Sequence, residues 1–244
     1  MPEKNKIDDA LRNQLLSALP DGEFQKIRPS LEYVDLANGD ILWEAEAKRH
    51  HIYFPTTAII CLLYDSETGA SVEVGITGRQ GLAGVSTFMS EATMATRAVT
   101  YRKGGAYRMK AAAVKSEFAE CGDFQDICMY FTQTLIAQIS QTAICNRLHT
   151  VEQQLCRFLL YVHDHHADDT LHLTHEQISQ ALGVRRETVS LAAANLQENK
   201  VIEYSRGRIK ILSRKRLNSF ACECYDVESD HYNRVLGKYV AKHK

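Results

Sequence analysis

The stretch from Thr174 to Leu196 limits the possible folds more than any other part of the chain. It reads as two helices meeting at a tight turn. Thr174 can cap the first helix, and Gln177, three residues on, can close a capping box. Ile178, Ala181 and Leu182 recur at helical spacing and give that helix one apolar face. Gly183 comes next, where a left-handed backbone disfavours any residue with a Cβ. Val184 fills the corner, and Ser179 is small where the two helices must cross closely. A second helix runs from about Arg185, with Val189, Ala192, Ala193 and Leu196 inward. This is the helix-turn-helix pattern, whose second helix enters the DNA major groove. Its outward residues begin Arg185-Arg186-Glu187-Thr188. Arg can grip guanine O6 and N7, Glu can accept from cytosine N4, and Thr can hold a phosphate.

An ordinary helical hairpin with a solvated charged face fits the same stretch. The segment C-terminal to it separates the two readings. Val201–Ser205 and Arg208–Leu212 are two apolar-alternating runs, and Arg206-Gly207 joins them as a short hairpin turn. A basic hairpin directly after a helix-turn-helix is a wing. Between Arg185 and Arg216 stand nine basic residues (Arg185, Arg186, Lys200, Arg206, Arg208, Lys210, Arg214, Lys215, Arg216) against Glu187, Glu198 and Glu203, a local balance of +6 in a chain of net charge −1. A basic patch on a near-neutral protein is the footprint of a phosphate-backbone contact.

With these parts in place, the sequence resembles the Crp/Fnr family of bacterial transcription regulators, on Gln177–Leu196 and the Tyr204–Leu212 wing. The order of the remaining parts extends the resemblance over nearly the whole chain. The implied fold is α+β: an N-terminal antiparallel β-roll or jelly roll of the cyclic-nucleotide-binding type, a long dimerisation helix and a C-terminal winged helix-turn-helix. The corresponding domains are 1–122 as effector or sensor, 123–148 as dimerisation helix, and 149–244 as DNA reader with a helical tail.

The residue patterns are compatible with this order. Ile7, Leu11, Leu15, Leu16 and Leu19 mark a short amphipathic helix ended by Pro20. From Leu31 the period becomes two. Candidate strands are Leu31–Val34, Asp40–Trp43, His51–Phe54, Ile59–Tyr64, Ser71–Val74, Ala98–Arg102 and Ala106–Met109, several of them separated by turns such as Asn38-Gly39-Asp40, Thr68-Gly69 and Lys103-Gly104-Gly105. Many short strands at this spacing favour an antiparallel barrel or jelly roll. Asp123 to Leu148 lacks Gly and Pro, and Ile127, Phe131, Leu135, Ile139 and Ala143 recur every fourth residue. This is a long helix with a wide apolar face, part of which can pack on the β-roll while the rest meets a partner helix. Thr150 can cap a further helix from Val151 to His163, and a hinge falls at His149-Thr150. Ser213 can cap a last helix through Phe220, extending towards Tyr225.

The resemblance also defines an expected effector site. Gly78-Arg79-Gln80-Gly81-Leu82-Ala83-Gly84-Val85-Ser86 lies where the family's cyclic-nucleotide cassette falls. A cyclic-nucleotide binder needs a Glu after the last Gly for the ribose hydroxyl and a later Arg for the phosphate. Val85 takes the Glu position; Ala95 or, with a loop longer by two, Arg97 takes the other. Gly84, Val85 and Arg97 are therefore the expected pocket residues for an unidentified effector, and Gly78, Gly81 and Gly84 read as turn glycines. The family's oxygen sensors carry closely spaced N-terminal cysteines for an iron–sulfur cluster, whereas the first Cys here is Cys61. Cys121 and Cys128 are too widely spaced for such a cluster. Cys222 and Cys224 are two apart on an expected helix, which would aim them to different sides. The seven cysteines are thus expected as buried reduced thiols, with no cofactor and no metal. His163-Asp164-His165-His166, with His172 and His175 nearby, has metal-ligand types but reads as a polar loop.

A β-roll also invites comparison with cupin-like metal enzymes. Adjacent His50 and His51 would point to opposite faces of a strand and could not chelate together. Neither a nucleophile nor a paired-carboxylate constellation is evident. A protein-interaction module with a vestigial helix-turn-helix is the other alternative. The favoured expectation is a non-enzymatic, homodimeric regulator of transcription that binds an inverted repeat in double-stranded DNA. Arg185, Arg186 and Glu187 would contact bases, and Thr174, Thr188, Ser190, Arg206, Arg208 and Lys210 the backbone. One departure from the family matters: four residues beyond Glu187, where relatives commonly carry a second guanine-reading Arg, stands Leu191. Partners would be DNA, a second copy and RNA polymerase. With no membrane span and no signal-peptide core, the expected location is the cytoplasm.

Overall fold

A computed structural model describes residues 9–67, 71–90, 92–165 and 169–243. The chain divides into two compact units. One comprises residues 1–62, 76–136 and 232–244, the other residues 63–75 and 137–231.

The first unit opens with α1 (Gln14–Ala18) and α2 (Asp21–Ile27). The single helix expected from Ile7 to Leu19 is broken: Ile7 lies outside the described residues, and Leu11 sits in a turn. Asn13 is the cause. Its side chain accepts from the backbone of Leu15 and Leu16 as an N-cap, while Nδ2 donates to Pro55 O at 2.9 Å and Gly81 O at 2.8 Å. All of its bonding capacity is used, which is what full burial of an amide requires. Pro20 does not simply stop the chain; it caps α2, where its fixed φ suits a helix start.

The seven expected strands are all present; six run slightly longer than expected, and the second is shorter by Asp40: β1 (Leu31–Leu36), β2 (Ile41–Trp43), β3 (His51–Pro55), β4 (Ile59–Asp65), β5 (Ser71–Thr77), β6 (Thr96–Arg102) and β7 (Gly104–Lys110). The expected Thr68-Gly69 turn lies outside the described residues. The strands form sheets of order β1-β7-β3 and β2-β6-β4-β5, with β7 antiparallel to both of its neighbours. Alternation along β3 and β7 builds two cores. Ile52, Phe54, Tyr107 and Met109 join the helical residues Leu15, Leu16, Phe24, Ile27, Phe124 and Ile127. Tyr53 and Ala106 face the other way, among Trp43, Ile60 and Ala98. Both faces of the strand are therefore apolar, which simple in–out alternation in the sequence understates.

Three helices of this region had no distinct expectation: α2, α3 (Ser86–Met89) and α4 (Ala111–Ala119). They are short, four to nine residues, which leaves too few turns for a period to register.

The long helix, α5 (Asp123–Leu148), forms as expected. Its expected dimer positions divide. Ile127, Phe131 and Leu135 are buried in the chain's own core and cannot face a partner. Ile139 and Ala143 are exposed. The reason is packing: Phe131 lies so close to Gly81 that a Cβ there would come within 2.2 Å of its ring. Gly81 is thus not only a turn residue; it admits the helix.

In the second unit, α6 (Val151–Asp164) starts at the Thr150–Gln153 capping box. The helix-turn-helix and hairpin come after it: β8 (Thr170–Leu171), α7 (His175–Leu182), α8 (Arg186–Glu198), β9 (Ile202–Ser205), β10 (Arg208–Ile211) and α9 (Arg214–Phe220). The helix after Ser213 does not reach Tyr225. It ends at Phe220, and a separate helix, α10 (Cys224–His243), carries the tail. Glu228 pairs with Arg157 at 3.1 Å in the second unit, and Tyr239 is fully buried in the core of the first.

Candidate nucleic-acid interface

The turn between α7 and α8 is built as its residues require. Thr174 accepts from Gln177 N and Gln177 returns to the Thr174 backbone, completing the capping box. Gly183 is left-handed, with φ 64°, and a Cβ there would meet Val72 Cγ2 of β5 at 2.8 Å. The glycine is needed for conformation and for room. Val184 is half-buried, less a plug than expected, and its N–H donates to Ser179 O at 3.1 Å.

On α8, Val189, Ala192, Ala193 and Leu196 are buried, so the expected register holds. Arg185, Arg186, Glu187 and Leu191 are consequently exposed. Leu191 is 73% exposed. Arg185 is the N-cap residue, so Arg186 and Glu187 occupy the first turn.

The wing alternates strictly. Ile209 and Ile211 point inward, Arg208 and Lys210 outward, and Arg206-Gly207 turns the hairpin with φ 47° and 76°. Positive φ at both central residues is the turn that matches strand twist. Arg206, Arg208 and Lys210 line an open groove with Thr170, Glu203 and Ser205. The three basic side chains expected on the DNA backbone are thus brought together.

Two expected phosphate contacts are differently employed. The Thr174 hydroxyl donates to Gln177 Oε1 at 3.1 Å, and the Ser190 hydroxyl donates to Arg186 O at 3.0 Å. Each hydroxyl has one proton, so donating to a phosphate would require it to give up this internal bond. Ser190 also meets His175 Nδ1 at 2.8 Å, and the His175 ring stacks on Tyr204. Burial, with help from the Arg186 charge, holds the His175 pKa below its ordinary value. Thr188 is half-buried beside the exposed arginines.

The expected effector residues are scattered in character. Gly84 is buried directly after Ala83, which bridges to Tyr53, while Val85 and Arg97 are half-buried. His163, expected in a solvated loop, instead bridges Asp169 and Arg214, each at 2.9 Å; His166 lies outside the described residues.

A further constellation escaped the sequence reading. Cys222-Glu223-Cys224 is not helical throughout but forms the turn from α9 to α10, so its two thiols reach the same side. There they meet Cys145 and His149, and the four ligand atoms lie within 4.8 Å of one another. The expectation that Cys222 and Cys224 point to different sides is corrected accordingly; the seven cysteines are free thiols, six of them buried and Cys121 exposed. Burial raises the Cys145 and Cys222 thiols above their ordinary range, while the Arg157 charge opposes that rise at Cys145.

Comparison with known proteins agrees with this architecture. Residues 153–220 match the model of the Crp-like helix-turn-helix domain. No curated protein sequence matches the chain. Among solved structures, FixK2 from Bradyrhizobium japonicum is similar, with a TM-score of 0.66 at 13% identity over 79% of this chain and 98% of that one. TTHB099, a CRP-family transcriptional regulator from Thermus thermophilus, superposes with a TM-score of 0.65 at 15% identity over 77% of this chain and 96% of that one. CLP from Xanthomonas campestris, a global regulator responsive to c-di-GMP, gives 0.63 at 10% identity over 80% and 100%. Residues 153–220 are thus a Crp-like helix-turn-helix domain, carried in a chain with the fold of the Crp/Fnr transcriptional regulators.

Proposed function

We propose that the chain is a sequence-specific DNA-binding regulator of transcription that acts as a homodimer on an inverted repeat. The observation that carries this reading is the exposed Arg185-Arg186-Glu187 face at the start of α8, in a domain whose wing gathers Arg206, Arg208 and Lys210. Arg186 and Glu187 carry direct readout with Arg185 in support, and the wing residues with Thr188 hold phosphates.

The dimer face needs redrawing from the sequence expectation. Met129, Ile136, Ile139, Ala143, Ile144 and Leu148 are the exposed apolar positions of α5. Met129, Ile136 and Ala143 are seven apart, and Ile139 falls between the last two at coiled-coil spacing. Apolar surface of this kind on one helix supports pairing with a second copy. A two-fold dimer would set two recognition helices about 34 Å apart, one DNA turn.

Residues 1–122 serve as the sensor and 149–244 as the reader in this reading, with the signal unidentified and RNA polymerase the protein partner. CLP is responsive to a cyclic dinucleotide, so a nucleotide signal is compatible with this fold. Val85 at the ribose-binding position argues against the usual cyclic-nucleotide contact here. Selection from random duplexes by gel shift tests the proposal. Symmetric half-sites one turn apart are expected. Failure to enrich any sequence would leave an interaction module as the better reading.

A further inference from the structure

We propose that Cys145, His149, Cys222 and Cys224 form a tetrahedral site for a single zinc-class cation. Zinc binds thiolate sulfur at about 2.3 Å and imidazole nitrogen at about 2.0–2.1 Å, which places neighbouring ligand atoms of a tetrahedron roughly 3.5–3.8 Å apart. Two of the spacings found are close to that size. Cys145 Sγ and Cys222 Sγ are 3.6 Å apart, and Cys224 Sγ is 3.4 Å from His149 Nδ1. All four atoms fit within 4.8 Å. That is a space for one ion, not for a cluster in which each thiolate holds a different iron. Three sulfurs and one imidazole are a known structural zinc set, and soft thiolates select zinc over hard cations.

Local structure explains how the set assembles. Cys145 and His149 are four apart at the end of α5, and His149 N–H still donates to Cys145 O at 3.1 Å, so both side chains lie on one helical face. The α9–α10 turn supplies the other two. The three cysteines are buried together, and His149 is largely covered.

The surrounding residues suit a bound ion. Glu223 Oε1 lies 3.3 Å from His149 Nε2. A carboxylate on the far nitrogen fixes the ring so that Nδ1 faces the thiols, the usual outer partner of a metal-bound histidine. Binding exchanges three thiol protons for one dication and leaves the site at net −1. Four protein ligands leave no open position, so the role is structural. The ion ties the last turn of α5, beside the hinge expected at His149-Thr150, to the turn after the reader's last helix.

The test uses the full chain, purified under reducing conditions, with metal content measured by plasma mass spectrometry. About one zinc per chain is expected. Cys222→Ser and His149→Ala should each reduce it to below about a tenth, while Cys121→Ser, an exposed thiol outside the set, should retain it. In case the variants do not fold, the chelator-treated wild-type chain is titrated with cobalt. A thiolate-to-cobalt charge-transfer band with tetrahedral ligand-field absorption, saturating at one ion per chain, supports the site. A folded chain that takes up neither zinc nor cobalt overturns the proposal. So does a Cys145–Cys222 disulfide in the freshly purified protein, or iron with inorganic sulfide in place of zinc.

Discussion

The imidazole of His175 lies flat against the phenol of Tyr204, with ring centroids 4.1 Å apart and planes 16° from parallel. The pair joins the first turn of α7 to the wing, and His175 Nδ1 adds Ser190 of α8 at 2.8 Å. Because the Ser190 proton goes to Arg186 O, Ser190 accepts from His175 Nδ1–H. Nε2 is buried with no protein partner. A second proton there would be buried without an acceptor, which is why the neutral form is preferred.

That preference has a pH consequence with a definite sign. The folded pKa of His175 lies below its ordinary value of 6.5, so the unfolded chain binds the proton more readily. The contribution to stability is complete above about 6.5 and is lost as pH falls through the depressed folded pKa. Melting temperature should fall on acidification over this window. His175→Phe keeps an aromatic ring on Tyr204 but cannot titrate, and should flatten the fall. An unchanged slope in the variant would assign the titration to another group.

Gly81 should not tolerate a side chain. A Cβ would sit 2.2 Å from Phe131 Cε2, and Phe131 is itself buried. Overpacking of this kind costs about 1–3 kcal/mol. Gly81→Ala should lower the unfolding free energy by that amount in a denaturant titration. Adding Phe131→Leu should recover part of the loss, which additive single effects would not do.

Ile136 is 58% exposed and Phe131 5% exposed on the same helix. Ile136→Glu should therefore yield a folded monomer by light scattering and circular dichroism. Phe131→Ala should instead lower stability by about 3–5 kcal/mol, as truncation of a buried aromatic does. A dimer that survives Ile136→Glu at micromolar concentration would move the interface off this face.

Base reading and phosphate holding should separate cleanly. Arg186→Ala should cost about 1–3 kcal/mol and relax one position of the selected site. Leu191 cannot donate to a guanine and can only touch a thymine methyl, so Leu191→Ala should alter preference little. Arg206→Ala, Arg208→Ala or Lys210→Ala should weaken all sites about equally and reduce the salt slope by about one unit. A loss confined to one base position would make that residue a reader instead.

Local sequence determined the parts that depend on short-range physics. The Thr174–Gln177 box, the Gly183 turn, the Arg206-Gly207 hairpin and the inward set Val189, Ala192, Ala193 and Leu196 follow from caps, φ preferences and period, and each is formed. The seven strands followed from alternation in the same way. Tertiary structure decided what depends on distant partners. Periodicity marked Ile127, Phe131 and Leu135 as apolar but could not say that the chain's own core would cover them, leaving Met129 and Ile136 outward. Asn13 broke a helix because Pro55 O and Gly81 O needed a donor far along the chain. Cys145 and His149 meet Cys222 and Cys224 across more than seventy residues. Their spacing matches no contiguous motif, since half of the set comes from a helix end and half from a turn. No local propensity encodes that meeting; only the path of the folded chain brings the four side chains together.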